Sequence, residues 1–200
     1  MIRSSLPLAG STMIAGLPAN AGVFFVRLYH GKADAGVFGV ASQAAAAYLM
    51  FSYLAIRILQ PHIAGPYGLD RSFLRKLLLF AALFLALLAA GGFAVAAGVI
   101  LWLLAPEYRA ALVPMAVLLG AAVLLSAGVL ASSYLVVLHR ERTVLTAHAV
   151  SAVVYVAGTV VLVPALGNVG AATAAALAAG CGTAWMVAAV RRSLPNEPEA

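Results

Sequence analysis

Apolar residues run along this chain in six long blocks, separated by short breaks rich in turn residues. The blocks cover about residues 6–26, 36–59, 77–104, 111–138, 145–163 and 170–190. Each comes close to the ~20 residues that a helix needs to cross a bilayer's hydrocarbon. None shows the short apolar–polar alternation of a barrel strand. Uninterrupted apolar runs of this length predict helices, which satisfy their own backbone polar groups in lipid. The breaks are His30-Gly31, Pro61 with Gly65-Pro66, Pro106-Glu107, Arg140-Glu141-Arg142 and Gly167-Asn168. The first block is itself interrupted by Pro7, Pro18 and Asn20, and the third is long enough to tilt. A polar tail, 191–200, carries Pro195, Glu197, Pro198 and Glu199 and is expected to be disordered. The pattern predicts an all-α membrane protein, a bundle of six transmembrane helices.

Composition strengthens that picture. Apolar residues make up 64% and charged residues 9%, with a mean hydropathy of +1.05. A soluble domain is nearer half apolar and a quarter charged, and it cannot hide so much apolar surface from water. The net charge of +6 is carried between the apolar blocks, without the basic runs and interleaved aromatics of a nucleic-acid surface. Charge then orients the bundle. With six crossings, Arg3, Arg57, Arg71, Arg75, Lys76, Arg140, Arg142, Arg191 and Arg192 share the side of both termini. Arg27, Lys32 and Arg109 lie on the other side. This bias predicts cytoplasmic termini and a multi-pass protein of the inner cell membrane. The first block runs too far for the short core of a cleavable signal peptide, so none is expected. The one cysteine, Cys181, has no disulfide partner in the chain and no metal-ligand companion.

Several stretches resemble a known family. Val23-Phe-Phe-Val-Arg-Leu-Tyr-His-Gly31, followed by Ala35-Gly-Val-Phe-Gly-Val-Ala-Ser42, is similar to a helix pair of polysaccharide flippases. These belong to the multidrug/oligosaccharidyl-lipid/polysaccharide exporter superfamily. Ile58-Leu-Gln-Pro-His-Ile-Ala64 looks like its exit from the second helix of a lobe. Leu103-Leu-Ala-Pro-Glu-Tyr-Arg-Ala-Ala111 resembles its outer turn, with Ala105-Pro106 where the family has an aromatic-Gly pair. Val163-Pro-Ala-Leu-Gly-Asn-Val-Gly-Ala-Ala172 resembles its link between the last two helices. The resemblance covers about residues 15–190 and corresponds to the C-terminal six-helix lobe of a twelve-helix transporter. It implies a lobe that helps move a lipid-linked oligosaccharide across the membrane. A second six-helix lobe, from a homodimer or a separate chain, would complete the cavity. The alternatives are a lobe of a multidrug and toxin extrusion type antiporter, or a truncated membrane protein that transports nothing.

Polar groups inside lipid are costly, so each is a candidate. Arg57, at the inner end of the second block, offers the paired donors that suit a lipid diphosphate, with Gln60 three residues on. Its plainer reading is an interfacial anchor. Asn20 could bind a sugar or diphosphate oxygen, or satisfy a carbonyl freed by Pro18. Arg27 could attract an anionic head group, or snorkel. Gln43 and Ser42 could face a cavity or bond a neighbouring helix. His148 could relay protons or bond a helix. Tyr48, Tyr53, Tyr134 and Tyr155 could stack on a sugar or simply pack. Gly170, Ala174 and Ala178, four apart, form a small-residue packing stripe. No Asp or Glu falls inside any block, which counts against ion coupling within this lobe. No hydrolase, phosphate-loop or metal motif is present, so an enzyme, a cofactor and a metal site are not expected.

Overall fold

The computed structural model describes the backbone of residues 2–64 and 71–193, and the side chains of 21–58, 79–80 and 83–193. The elements in order are α1 (Ile2–Ala64), α2 (Arg71–Trp102), a 3-10 turn (Pro106–Ala111), α3 (Leu112–Val137) and α4 (Glu141–Ser193). There is no strand among the described residues. Among them, four helices are long and apolar enough to cross a membrane, the mark of a membrane-embedded protein.

The difference from six separate blocks has a simple cause. The first two blocks lie in α1 and the last two in α4, and each helix is broken at one residue. In α1 the break is Gly31, with φ 90° and ψ −172°. In α4 it is Gly167, with φ 54° and ψ −128°. Both conformations belong to glycine, since a Cβ would collide with the backbone there. No loop of several residues is needed at either break. The helix on each side runs up to the glycine, through the charged residues Arg27, Lys32 and Asp34 that divide the first two blocks. Pro164 lies inside α4, three residues before its break.

Contacts across Gly167 fold α4 into an antiparallel hairpin. A Cβ at Gly158 would stand 3.0 Å from the Ala174 Cβ, and one at Gly182 3.2 Å from the Ser151 Cβ. Ser151 also donates from Oγ to the Ala178 carbonyl at 2.8 Å. As positions fall along one arm they rise along the other. Gly170, Ala174 and Ala178 are all buried, so the predicted small-residue stripe is the seam that lets the two backbones approach. The second arm is clamped from its other side by α3. There Thr183 donates from Oγ1 to the Leu124 carbonyl at 2.8 Å, over a Gly128 whose Cβ would meet that hydroxyl at the same distance.

α1 turns back at Gly31 in the same manner. A Cβ at Gly22 would stand 2.8 Å from the Phe38 ring and 2.9 Å from the Tyr155 hydroxyl. The first arm of α1 therefore packs on its own second arm and on the first arm of α4. Eight residues further along both chains, His30 meets Val163. Equal steps mean that the two first arms run parallel and reach their glycine breaks on one side of the bundle.

The second arm of α1 buries Ala35, Phe38, Ala41, Ala45, Tyr48, Ser52 and Ile56, spaced three and four apart on one face. α2 is the least enclosed helix. It exposes Leu83, Phe84, Leu87, Val95 and Val99 and buries Leu85 and Ile100. Tyr48 ties it to α1 by donating to the Leu85 carbonyl at 3.2 Å. The buried hydroxyls of Ser52, Ser126 and Thr159 bond back to carbonyls four residues earlier in their own helices. These three hydroxyls are satisfied locally, whereas the Asn168 Oδ1, beside the α4 break, is buried without a hydrogen-bond partner among the described residues. α3 ends where His139 takes φ 55°, with Arg140 donating to the Leu135 carbonyl and His139 to the Val136 carbonyl, both at 2.9 Å. This is a Schellman cap with histidine in glycine's usual place. At its end α4 continues through Arg191 and Arg192 to Ser193. Residues 194–200 lie outside those described.

Candidate functional site

The candidates separate into two groups by position. Arg27 is exposed four residues before the Gly31 break. Gln43 and Arg57 are exposed on the second arm of α1. Arg57 lies twenty-six residues past the break, roughly 40 Å along the helix, so the structure does not bring Arg27 and Arg57 together. The side chains of Asn20 and Gln60 lie outside the described residues.

Gln43 and Arg57 do share a face. They are fourteen residues apart, four turns and about 21 Å along the axis, and both point directly away from the Phe38–Ser52 core stripe. A guanidinium and an amide on one line offer donors at two depths, which suits a ligand with an anionic group near the interface and hydroxyls deeper in. Ser42, next to Gln43, is half-buried and donates to the Gly39 carbonyl of its own helix at 2.9 Å, not to a neighbouring helix. Tyr48, Tyr134 and Tyr155 are buried in the packing, and Tyr53 alone of the four is exposed. His148 is half-buried near the start of α4.

Sequence reasoning treated His30 only as part of a turn. Its Nε2 donates to the Val163 carbonyl at 2.8 Å, and its ring lies 3.7 Å from where a Cβ on Gly167 would stand. That carbonyl sits in the last turn before the α4 break, where the helix runs short of its own donors. The imidazole supplies one from the other hairpin. The signal in the sequence was a histidine placed directly before the turning glycine. His30→Ala is expected to lower the thermal midpoint in mild detergent by a few degrees, the effect of roughly 1 kcal/mol for a lost hydrogen bond. His30→Gln, which keeps a donor, should recover part of it; an unchanged midpoint in His30→Ala would refute the clasp.

Among the described residues no three His, Cys, Asp or Glu side chains group as metal ligands. No family model matches the chain, and no similar protein is found among curated proteins or solved structures.

Proposed function

We propose that this chain is one lobe of a membrane flippase that moves a lipid-linked oligosaccharide across the inner cell membrane during polysaccharide synthesis. In this reading it crosses the bilayer six times with both termini in the cytoplasm. The length of the two broken helices supports the crossings. α1 has 63 residues and α4 has 53, roughly 95 and 80 Å of helix against ~30 Å of hydrocarbon. Each folds back at its glycine, and both breaks lie on one side, as an even count with shared termini requires. The distribution of arginines supports the orientation.

The observation that carries the functional reading is the outward line of Gln43 and Arg57 on one face of α1. A flippase must shelter a sugar and diphosphate from hydrocarbon while the lipid tail stays in the bilayer. Polar donors along an outer face of the lobe would do this once a second lobe covers them. The motif resemblance supplies the substrate class. The roles are then Arg57 for the diphosphate near the cytoplasmic interface, Gln43 for sugar hydroxyls, and Arg27 at the far side for the departing head group. Asn20 and Gln60 remain candidates for the same ligand.

Arg57→Ala is expected to reduce export of surface polysaccharide roughly tenfold at equal membrane abundance, the loss of one charge-assisted contact. Arg57→Lys should lie between, since it keeps charge without the paired donors. Export that is unchanged in Arg57→Ala, measured per unit of protein in the membrane, removes Arg57 from the site.

A further inference from the structure

We infer that the turn between α2 and α3, residues 102–105, lies in the lipid–water boundary on the side of the two glycine breaks, with the Trp102, Leu103 and Leu104 side chains inserted among lipid chains. The partner of this surface is the bilayer itself. Three observations carry it. First, these side chains find little to pack on within the chain. Trp102 is 87% exposed and Leu103 78%, more than any other large apolar residue among those described. They also continue an exposed face of α2. Phe84, Gly91, Val95 and Trp102 follow one another at steps of seven, four and seven, which keeps them on one line, and all four are exposed.

Second, the backbone of this turn needs polar company. The Leu103 N–H still donates to the Val99 carbonyl at 2.9 Å, and the Leu104 N–H reaches the same carbonyl at 3.3 Å. The Trp102 carbonyl would accept next from residue 106, but that is Pro106, which has no N–H. Backbone pairing resumes where Tyr108 donates to the Ala105 carbonyl at 3.0 Å. In between, the Leu103 and Leu104 carbonyls and the Ala105 N–H meet no backbone group among the described residues. Such backbone is not tolerated facing hydrocarbon, where its polar groups stay unmet. Large apolar side chains, in turn, gain nothing from water. The boundary serves both, and an indole, apolar with one N–H, is enriched there. Glu107 and Arg109, both exposed, follow on the headgroup side.

Third, α1 fixes the same level independently. Tyr48 of its second arm donates to the Leu85 carbonyl of α2. From that contact α1 runs sixteen residues on to Ala64, and α2 begins fourteen residues back at Arg71. Ala64 and Arg71 are seven residues apart, a reach of about 25 Å. A parallel α2 would leave these ends about 45 Å apart, so α2 retraces the second arm of α1. Tyr48 stands seventeen residues past Gly31, and Leu85 seventeen before Trp102, about 25 Å in each case. Trp102 therefore returns to the level of the Gly31 break. There α1 carries the exposed Arg27 and Lys32. Two elements remote in sequence thus exchange apolar for charged surface at one height, as a membrane boundary requires. The placement does not depend on what the chain carries.

The chain has two tryptophans, so Trp185→Phe leaves Trp102 as the only one. The full chain with that change is reconstituted in vesicles of phosphatidylcholine brominated either near the glycerol end of its acyl chains or near their methyl end. Bromine quenches a nearby indole, so Trp102 fluorescence should fall several-fold more with the bromines near the glycerol end. Strongest quenching from the methyl end would place the turn in the hydrocarbon interior. Quenching by aqueous iodide alone would place it in water, and quenching by neither would place it under a second protein chain. Each of these overturns the inference. A nitroxide at Trp102→Cys or Val95→Cys, in the chain carrying Cys181→Ser to remove the exposed native thiol, gives an independent reading. The ratio of collisions with oxygen to collisions with an aqueous nickel complex should be several-fold higher at Val95→Cys, about 10 Å deeper along α2. Equal ratios at the two positions overturn the inference as well.

Discussion

Gly170→Ala should be among the most damaging single-methyl additions to this protein. A Cβ at Gly170 would lie 2.6 Å from the Leu162 carbonyl carbon, 3.0 Å from the Val163 nitrogen and closer still to the Leu162 oxygen. These are backbone atoms of the facing arm, so no side chain can rotate away. The α4 hairpin must open at its tightest point, and every contact down the seam, Gly158 with Ala174 and Ser151 with Ala178, loosens with it. Overpacking of this kind costs roughly 3 kcal/mol or somewhat more, a fall of roughly 5–10 °C in the thermal midpoint in mild detergent. Gly98→Ala is the matched control. Nothing lies within 4 Å of a Cβ there, and alanine favours the helix, so the midpoint should hold or rise slightly. Equal behaviour of the two variants would mean that the hairpin arms are not in contact at Gly170.

Gly167→Val should come close in effect, through the backbone rather than through packing. The residue stands at φ 54° and ψ −128°, outside the left-handed helical well that asparagine tolerates and well outside the range of a β-branched residue. Valine must either accept roughly 1–3 kcal/mol of strain or shift the break to a neighbour. Shifting it rotates the second arm about its axis and takes Ala174 and Ala178 off the seam. Gly31→Val, at φ 90° and ψ −172°, should behave alike in α1. Asparagine at either position should fail to rescue, because ψ and not only φ is wrong for it. Wild-type midpoints in both valine variants would exclude glycine-specific breaks.

Helix, membrane and turning points were largely legible in the sequence. Block length against membrane thickness identified the apolar helices, and Gly31 and Gly167 stood out as breaks. The stripe of Gly170, Ala174 and Ala178 was readable because small residues at a spacing of four have one main use between membrane helices. What the sequence concealed was the manner of turning. Low hydropathy around Arg27, Lys32 and Asp34 looked like a loop, but charged residues make backbone hydrogen bonds as well as any, and one glycine is enough to reverse a helix. Faces were hidden too. A segment such as 36–56 is apolar almost all round, so no amphipathic stripe distinguishes core from lipid. Only packing revealed that Phe38, Ala41 and Tyr48 face inward while Gln43 faces out. His30 was hidden because its partner lies 133 residues away.

That separation has a consequence for how the protein is made. The first arm of α1 emerges from the ribosome long before Tyr155, Val163 and Gly167 exist. Until then one wall of the Gly22 pocket is missing, and His30 has no carbonyl to cap. The opening hairpin must therefore wait in the membrane, held by its own two arms, for the closing hairpin to dock beside it. Chains cut short before α4 would present Gly22, Val26 and His30 to lipid and to one another. They form the open flank that quality-control proteases would meet first.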